Sequence, residues 1–341
     1  MNKSFVVVTG GCGYIGSHTI IQLINSGFDV VSIDNLSRSS VTALENIERI
    51  TGYRVRNYNA DLTNSECVDQ VFSELDNILG LIHFAAYKSV PESVRFPEMY
   101  YKNNIASLVN VLANCVTHAV KNFVYSSSCS VYGEISKLPV SEETLIADPK
   151  SPYASTKIMG ERIVKDVCGI HSTRALCLRY FNPVGAHPSG YIGEMSLLRP
   201  DNLVPVITQT AIGKREFMEV FGGNLDTRDG SCVRDYVHVM DIADAHVLAL
   251  RHLGETGNMF DIINLGTGLG ISVFEAIAAF EKASGLKLNY KVGLPREGDV
   301  VEIFSDVSKA RNVLGWIPKY DINEMMSSAW AWEQELSRLG K

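Results

Sequence analysis

Tyr153 and Lys157 stand four residues apart in the segment SPYASTK (151–157), so they share one face if the segment is helical. A free tyrosine has a pKa of about 10, and bringing it to about 7 requires roughly 4 kcal/mol of preferential stabilisation of the phenolate. A nearby lysine ammonium and a second positive charge can together supply that stabilisation. The pair therefore predicts a general base that works near neutral pH. Spacing alone is a weak signal, because such pairs also arise by chance.

Three serines precede this pair in the segment YSSSCSVYG (125–133), at the end of a predicted strand. In an open parallel sheet, ligands bind beyond the carboxyl ends of the strands. We therefore expect Ser126, Ser127 and Ser128 to lie where chemistry takes place, beside Tyr153 and Lys157.

The first half of the chain alternates between short β-branched runs and helical patterns, which predicts a Rossmann-type, doubly wound parallel sheet with helices on both faces. The predicted strands are 5–9, 29–34, 54–59, 80–85 and 122–127, and the predicted helices are 14–26, 41–51, 65–75 and 97–118.

The pattern loosens after Asn182, where prolines and glycines fall close together. We predict an NAD-binding domain at 1–182 and a smaller α/β domain, mainly for substrate, at 183–341. The stretch near 235–268 is predicted to return to the first domain, because FDIINLGTG (260–268) again has the pattern of a core strand.

Three glycines, Gly10, Gly13 and Gly16, follow the first strand in TGGCGYIG (9–16). Glycines allow a tight turn and a close approach of pyrophosphate to the backbone, while the following helix points free N–H groups at the phosphate. On spacing alone, the motif could equally be a structural turn. Asp34 ends the second strand, where an acid can bind a ribose 2′-hydroxyl and repel a 2′-phosphate. The combination favours NAD over NADP.

A second glycine-rich turn, LGTGLGIS (265–272), also lies between a strand and a helix, but it has Ile271 where the third glycine would stand. We interpret it as a structural turn.

The composition limits the partners. The chain has 341 residues, 20% charged residues and a net charge of −7, which gives no reason to expect nucleic acid or an anionic membrane surface. No apolar run approaches the roughly 18 residues that cross a bilayer. The seven cysteines are scattered without a Cys-x-x-Cys pair, which predicts reduced thiols in the cytoplasm and no metal site.

Taken together, these motifs resemble the extended short-chain dehydrogenase/reductases. Within that family the segments HFAAYKSVPESV (83–94), YFNPVGAHPSG (180–190), DNLVP (201–205), VRDYVHVMD (233–241) and REGD (296–299) are similar to those of the UDP-hexose 4-epimerases. The resemblance runs in order through nearly the whole chain.

The resemblance implies an enzyme that keeps NAD bound and inverts C4 of a UDP-hexose through a transient 4-keto sugar. It implies that Tyr153 takes the proton of the sugar 4-hydroxyl and that Lys157 holds the nicotinamide ribose and lowers the pKa of Tyr153. Ser128 would hydrogen-bond the same sugar oxygen, either relaying the proton or only positioning the substrate.

The resemblance also assigns two sets of binding residues. The cofactor set comprises Gly10, Gly13, Tyr14, Ile15, Gly16, Asp34, Asn35, Asp61, Leu62, Lys88, Asn103, Tyr153 and Lys157. The UDP-sugar set comprises Lys88, Ser128, Asn182, Asn202, Leu203, Val220, Phe221, Arg234, Arg296, Asp299 and Ile303.

Ile303 occupies the position that faces the 2-substituent of the sugar in the family. Isoleucine is smaller than the tyrosine that closes this pocket, so acceptance of UDP-N-acetylglucosamine and UDP-N-acetylgalactosamine is expected beside UDP-glucose and UDP-galactose. The family further implies a homodimer through the helix after Pro97 and the helix of Tyr153. The apolar residues available there are Ile105, Leu108, Val111, Leu112, Ile158 and Ile163.

Two other functions are compatible with part of these motifs. A nucleotide-sugar 4,6-dehydratase shares the fold and the Tyr/Lys pair, but that family places an Asp-Glu pair where this chain has Cys129 and Ser130. A non-catalytic NAD-binding sensor would not need Ser128, Tyr153 and Lys157 together. Without the motif, Arg234 beside Asp235 could be a surface ion pair, and Lys88 a solvated lysine.

Overall fold

The computed structural model describes residues 4–135, 137–195, 200, 202–257, 259–296 and 300–340. The first part of the chain alternates as predicted, with a short 3-10 helix at Cys129–Tyr132. Its elements are β1 (Phe5–Thr9), α1 (Tyr14–Asn25), β2 (Asp29–Ile33), α2 (Thr42–Thr51), β3 (Arg56–Tyr58), α3 (Ser65–Ser73), β4 (Ile78–His83), α4 (Val90–Arg95), α5 (Pro97–Thr117), β5 (Asn122–Ser128), α6 (Pro152–Ile170) and β6 (Arg174–Tyr180). The sequence pattern did not predict the short helix α4.

The second part has shorter elements. They are β7 (Asn182–Val184), α7 (Leu203–Ala211), β8 (Met218–Phe221), β9 (Val233–His238), α8 (Val239–Glu255), β10 (Phe260–Leu265), β11 (Gly270–Ser272), α9 (Val273–Ser284), β12 (Tyr290–Gly293), β13 (Glu302–Ile303), α10 (Ser308–Leu314) and α11 (Ile322–Arg338).

Seven strands of the described chain form one parallel sheet in the order β10-β6-β5-β4-β1-β2-β3. The predicted doubly wound fold is confirmed. β10 covers the expected core strand at 260–268 and pairs with β6 at the sheet edge. The strands β7, β9, β11 and β13 form a second, smaller sheet, and β8 pairs with β12. The domain limits at 182 and 183 stay a prediction.

Helices cover both faces of the large sheet. On one face α1 and α8 pack together and bury Ile20, Ile21 and Leu250. On the other face α5 and α6 pack side by side against the core that contains Leu108, Val111 and Leu112. These three residues were expected among those available to a partner subunit. Some residues of that list were expected to face the sheet instead, and these three do so, since they are at most 1% exposed.

The second glycine-rich turn is structural, as predicted, and it is held by a buried carboxylate. Asp235 in β9 is fully buried, and its Oδ1 accepts from the backbone N (2.7 Å) and Oγ1 (2.7 Å) of Thr267. Its Oδ2 accepts from the backbone N of Gly268 (3.1 Å) and from the N (3.1 Å) and Oγ (2.6 Å) of Ser305. Asp235 thus ties the second sheet to the end of β10.

None of the helices in the described ranges combines the length and apolarity that crossing a membrane would require.

We expect Asp235→Ala to lower the free energy of unfolding by about 3 kcal/mol or more, because three backbone N–H groups lose their acceptor. Urea denaturation measures the change. The matched control is Asp226→Ala at an exposed position, which should stay within about 0.5 kcal/mol of wild type. Equal stability of the two variants would contradict the structural role of Asp235.

Candidate active site

The predicted Tyr/Lys pair lies at the start of α6, directly above the end of β5. The Ser151 hydroxyl caps this helix by accepting from the backbone N of Ala154 (3.2 Å), and Pro152 occupies its first turn. Tyr153 and Lys157 therefore project from one face of α6 toward the strand. The Lys157 ammonium donates to the Ser126 carbonyl (2.6 Å), and its Nζ lies 5.8 Å from the Tyr153 ring centroid. The hydroxyl of Ser128 interacts with the Tyr153 phenol in the sense that favours the ionised form and lowers its pKa.

The protein's own groups do not produce a phenol with a pKa near 7. Burial raises the pKa of Tyr153 to about 12, and the Ser128 hydrogen bond opposes the shift. Burial also lowers the pKa of Lys157 to about 8, against the attraction of Glu161. Lys157 is not among the groups that shift the pKa of Tyr153 in the chain alone, and its expected lowering of that pKa stays a prediction. Desolvation outweighs an ammonium that lies 5.8 Å from the ring and is already bonded to a carbonyl.

The first glycine-rich turn has the shape of a phosphate site. Gly10 has φ +68° and passes so close to β4 that a Cβ there would stand 2.8 Å from the backbone N of Ala85. A Cβ at Gly16 would overlap the Gly10 carbonyl. Within the described chain no side chain caps α1, and its first turn holds no acidic residue. The N–H groups at Tyr14 and Ile15 therefore present a positive helix end, which fits a pyrophosphate.

Asp34 lies beside this turn, as predicted, and its carboxylate is fixed in place. Oδ2 accepts from the backbone N of Cys12 (3.0 Å), and Oδ1 accepts from the backbone N of Leu36 (2.9 Å) and the hydroxyl of Ser39 (2.7 Å). Cys12 and Ser39 were not among the predicted site residues. The position of Cys12 inside the glycine motif was the available signal.

Other members of the predicted cofactor set lie along the same edge of the sheet. The Asn35 side chain accepts from the backbone N of Ser37, and Asp61 accepts from Thr63. Leu62 is buried beneath them.

The predicted Asn103 donates to its neighbour Asn104 (3.0 Å), which was not among the predicted site residues. Asn104 bonds both backbone groups of Tyr87 and also donates to the hydroxyl of Thr156 on α6 (3.1 Å). It therefore links the loop after β4 to the helix of Tyr153.

A cleft of about 1100 Å³ opens between the loops of the second part of the chain. Seven residues of the predicted UDP-sugar set line it: Asn182, Asn202, Leu203, Val220, Phe221, Arg234 and Arg296. Tyr236 and Lys214 also line the cleft and were not predicted. Within the described chain, the buried Oδ1 of Asn182 has no hydrogen-bond partner, so it is a spare acceptor that fits a donor on a ligand.

Arg234 and Arg296, the two predicted arginines among those that line the cleft, are far apart in the sequence and line the same cleft in the fold. The Arg296 guanidinium lies 3.7 Å from the Phe221 ring centroid. Arg234 donates to the Val233 carbonyl (2.9 Å), so it is not paired with its neighbour Asp235, which is buried in the turn described above. Asp299, the remaining acid of the predicted set, lies outside the described residues.

Three predicted substrate residues, Ser128 beside Tyr153, Ile303 and Lys88, lie outside this lining. Ile303 is 5% exposed and packs with Val131 and Phe181, while its strand β13 pairs it with Arg234. The Lys88 ammonium bonds Glu194 Oε1 (2.6 Å), and the same oxygen accepts from the side-chain amide of Asn202 (3.1 Å).

The geometry also bears on the alternatives. Cys129 and Ser130 follow Ser128 in the 3-10 helix, so no carboxylate stands at those two positions. No cluster of three or more His, Cys, Asp or Glu side chains with metal-binding geometry occurs in the part of the chain that the structure describes.

Comparison with known proteins identifies a family model and several relatives that match nearly the whole chain. Residues 7–329 match the family described as GDP-mannose 4,6 dehydratase. A UDP-glucose 4-epimerase of Bacillus subtilis is 45% identical over 330 residues, which cover 96% of each chain. A crystal structure of UDP-glucose-4-epimerase from Stenotrophomonas maltophila with bound NAD and formylated UDP-arabinopyranose has a TM-score of 0.95 at 39% identity, covering 98% of this chain and 99% of that one.

A second crystal structure, of UDP-glucose 4-epimerase from Bifidobacterium longum in complex with NAD+ and UDP, has a TM-score of 0.93 at 42% identity over 98% of each chain. The resemblance inferred from the motifs is confirmed: this chain belongs to the UDP-glucose 4-epimerase family.

Proposed function

We propose that this protein is an NAD-dependent epimerase that interconverts UDP-glucose and UDP-galactose at C4 of the sugar. The observation that carries the proposal is the placement of Ser128, Tyr153 and Lys157 together at the end of β5, with the glycine turn and the arginine-lined cleft on the same protein. This arrangement joins a proton-transfer group to a dinucleotide site and an anion site.

The glycine turn, the start of α1 and Asp34 would hold NAD through its pyrophosphate and adenosine ribose. When bound, NAD supplies a reversible hydride acceptor for the sugar C4 and adds positive charge near the phenol. Asn35, Asp61, Leu62, Lys88 and Asn103 complete the proposed cofactor set.

Tyr153 would remove the proton of the 4-hydroxyl at its phenol oxygen and later return it. Lys157 would hold the nicotinamide ribose and keep a positive charge below the phenolate. Ser128 would hydrogen-bond the reacting oxygen, and its contact with Tyr153 is compatible with proton relay as well as with positioning alone.

The UDP moiety would occupy the cleft. A diphosphate calls for donors in a fixed fork, and Arg234 and Arg296 offer them in a chain of net charge −7. Asn182 and Asn202 would supply neutral donors and acceptors, while Leu203, Val220 and Phe221 provide apolar and backbone contacts for the base and sugar. Asp299 belongs to the same proposed set.

We further propose that the N-acetylated UDP-sugars are accepted. Ile303 lies next to Arg234 across β9 and β13, and it presents an apolar wall without a hydroxyl. A pocket of this kind discriminates by only about 1–3 kcal/mol per added methylene, so partial discrimination is expected.

A homodimer is proposed from the helices α4, α5 and α6, which pack together on one side of the sheet. They carry apolar side chains that are 44–61% exposed, namely Val94, Phe96, Val109 and Met159. A cytoplasmic location is proposed because the seven cysteines are scattered along the sequence without a Cys-x-x-Cys pair, as is usual for reduced thiols.

Tyr153→Phe should reduce turnover of UDP-galactose by a factor of about 100 or more, because it removes the acid/base group and little else. Bound NAD, measured after release by denaturation, should stay at the wild-type level. Tyr290→Phe, on β12 outside the site, is the control and should keep full activity. Near-normal turnover by Tyr153→Phe would refute the assignment of the base.

Ile303→Tyr should suppress epimerisation of UDP-N-acetylglucosamine selectively, because the larger ring fills the space for the acetyl group. In the wild type we expect the N-acetylated reaction to run within about two decades of the UDP-glucose reaction. Product analysis with each substrate measures the ratio, and Ile317→Tyr at an exposed position is the control. Absence of the N-acetylated reaction in the wild type would contradict the proposal while leaving the epimerase intact.

Sedimentation at micromolar concentration should give twice the chain mass of 37.5 kDa. The double variant Val109→Lys/Met159→Lys should shift the mass toward the single chain, because charges on an apolar interface are costly to bury. Leu145→Lys, at a side chain that is 89% exposed outside these helices, is the control. A wild type that sediments as a single chain would refute the dimer.

A further inference from the structure

Three consecutive residues of β5 hold three residues of α6 that are spaced four apart. Ser128 interacts with the Tyr153 phenol and lowers its pKa. The Ser126 carbonyl accepts from Lys157 (2.6 Å), and the hydroxyl of Ser127 donates to Glu161 Oε1 (2.5 Å). Residues spaced four apart lie on one face of a helix. The third of these contacts involves a residue that the proposed chemistry does not use.

Glu161 is anchored on its other side to the sheet. Its carboxylate accepts from Nε (2.8 Å) and Nη2 (2.7 Å) of Arg179 on β6. Arg179 also donates to the Tyr132 hydroxyl (3.0 Å), which in turn donates to Asn264 on β10 (2.6 Å). Both side chains of the ion pair are nearly inaccessible, at 2% for Arg179 and 6% for Glu161. The Glu161 carboxylate is therefore held by β5 and β6, and it restrains α6 from shifting relative to these two strands.

The neighbouring Gly160 allows this close approach. A Cβ at Gly160 would stand 2.6 Å from Cζ of Tyr125 and would overlap its hydroxyl oxygen. The ring of Tyr125 in turn lies 5.1 Å from the Lys157 ammonium. The level of α6 over β5 is thus set by contacts that surround Lys157.

We propose that Glu161 is a positioning residue for Lys157: it holds α6 at its level on β5 and supplies the negative charge that faces the buried ammonium. The inference rests on the proposed function, in which Lys157 supports the phenolate of Tyr153.

The other titratable groups around Lys157 do not supply that charge. Burial holds the pKa of His83 on β4 at about 3, so its ring is neutral, and burial raises the pKa of Tyr125 and Cys177 well above their usual values. Arg179 is a cation already paired with Glu161. Burial lowers the pKa of Lys157 to about 8, and Glu161 is the largest influence that opposes this shift.

The test is the pH dependence of kcat in Glu161→Gln and Glu161→Asp, measured on the purified holoenzyme between about pH 6 and 9.5. Glu161→Gln removes the negative charge near Lys157. The pH at which kcat falls on the alkaline side of the profile (its basic limb) should therefore decrease by about one unit or more, the scale expected for a lost opposite charge. The loss of activity should therefore grow as the pH rises. Glu161→Asp retains the charge and should keep the limb near its wild-type position.

A destabilised control separates this effect from a general loss of structure. Phe72→Leu changes the buried core beneath α3, away from α6, and should lower stability without moving the limb. A Glu161→Gln profile that falls by the same factor at every pH would overturn the proposal.

Ser127→Ala provides a milder test if Glu161→Gln does not fold. It removes one hydrogen bond to Glu161 and leaves the ion pair with Arg179. We expect kcat to fall about tenfold, with KM and bound NAD unchanged, since a loosened helix misplaces the proton-transfer groups. Ser155→Ala, on the same helix but bonded only to the Ser151 carbonyl, should stay within about twofold. Equal kcat in the two variants would overturn the positioning role.

Tyr153→Phe, assayed in parallel, distinguishes failure of the positioning role of Glu161 from failure of the proposed acid/base chemistry. If Tyr153→Phe is inactive and the Glu161 and Ser127 variants show no specific effect, only the positioning role fails. If Tyr153→Phe is active, the proposed chemistry itself fails.

Discussion

The seating of α6 on β5 is the constraint on which the site depends. A parallel sheet brings β5 and the glycine turn after β1 to the same edge, but it does not decide how far a helix stands above a strand. Here that distance is set by Gly160, which lets the helix approach the Tyr125 ring, and by the Ser151 cap, which fixes where the helix begins. Tyr153 then points at the edge where both ligands are expected. Small residues at the contact thus determine the position of large ones in the site.

The binding of an anionic ligand depends in this protein on donors close to the site and not on the net charge of the chain. A chain of net charge −7 has no general attraction for a nucleotide sugar, so affinity must come from fixed donors at the binding edge. The open N-terminus of α1 and the arginines of the cleft meet this need. Lys88 and Asn202 meet at a single oxygen of Glu194, so a carboxylate of the protein already joins the two candidate binding regions. Carboxylates thus link separate segments of the chain by hydrogen bonds, as Asp235 also does at the second glycine-rich turn.

Much of this arrangement could be predicted from local sequence signals. Short motifs mark the glycine turn with Asp34, the helix spacing of Tyr153 and Lys157, and five of the seven predicted residues of the cleft. Hydrogen-bond and ion-pair partners that are distant in the sequence have no such motif. The bonds of Asn104 with Tyr87 and of Glu161 with Arg179 were therefore not predicted. The burial of Leu108 was uncertain because a helix between a sheet and a partner is apolar on two faces. The pKa of Tyr153 depends on desolvation, which sequence spacing does not report.

The return of the chain as β10 has a consequence for how the protein unfolds. The edge strand β10 pairs with β6, but in the sequence it comes after β7, β8, β9 and α8. The large sheet therefore includes a strand from the second part of the chain. A fragment that ends at Asn182 would lack that edge strand and the α8 side chains that cover one face, exposing β6 as an open hydrogen-bonding edge. The stability of the large sheet therefore depends on both halves of the chain, and a proteolytic nick in the connecting chain is expected to weaken both.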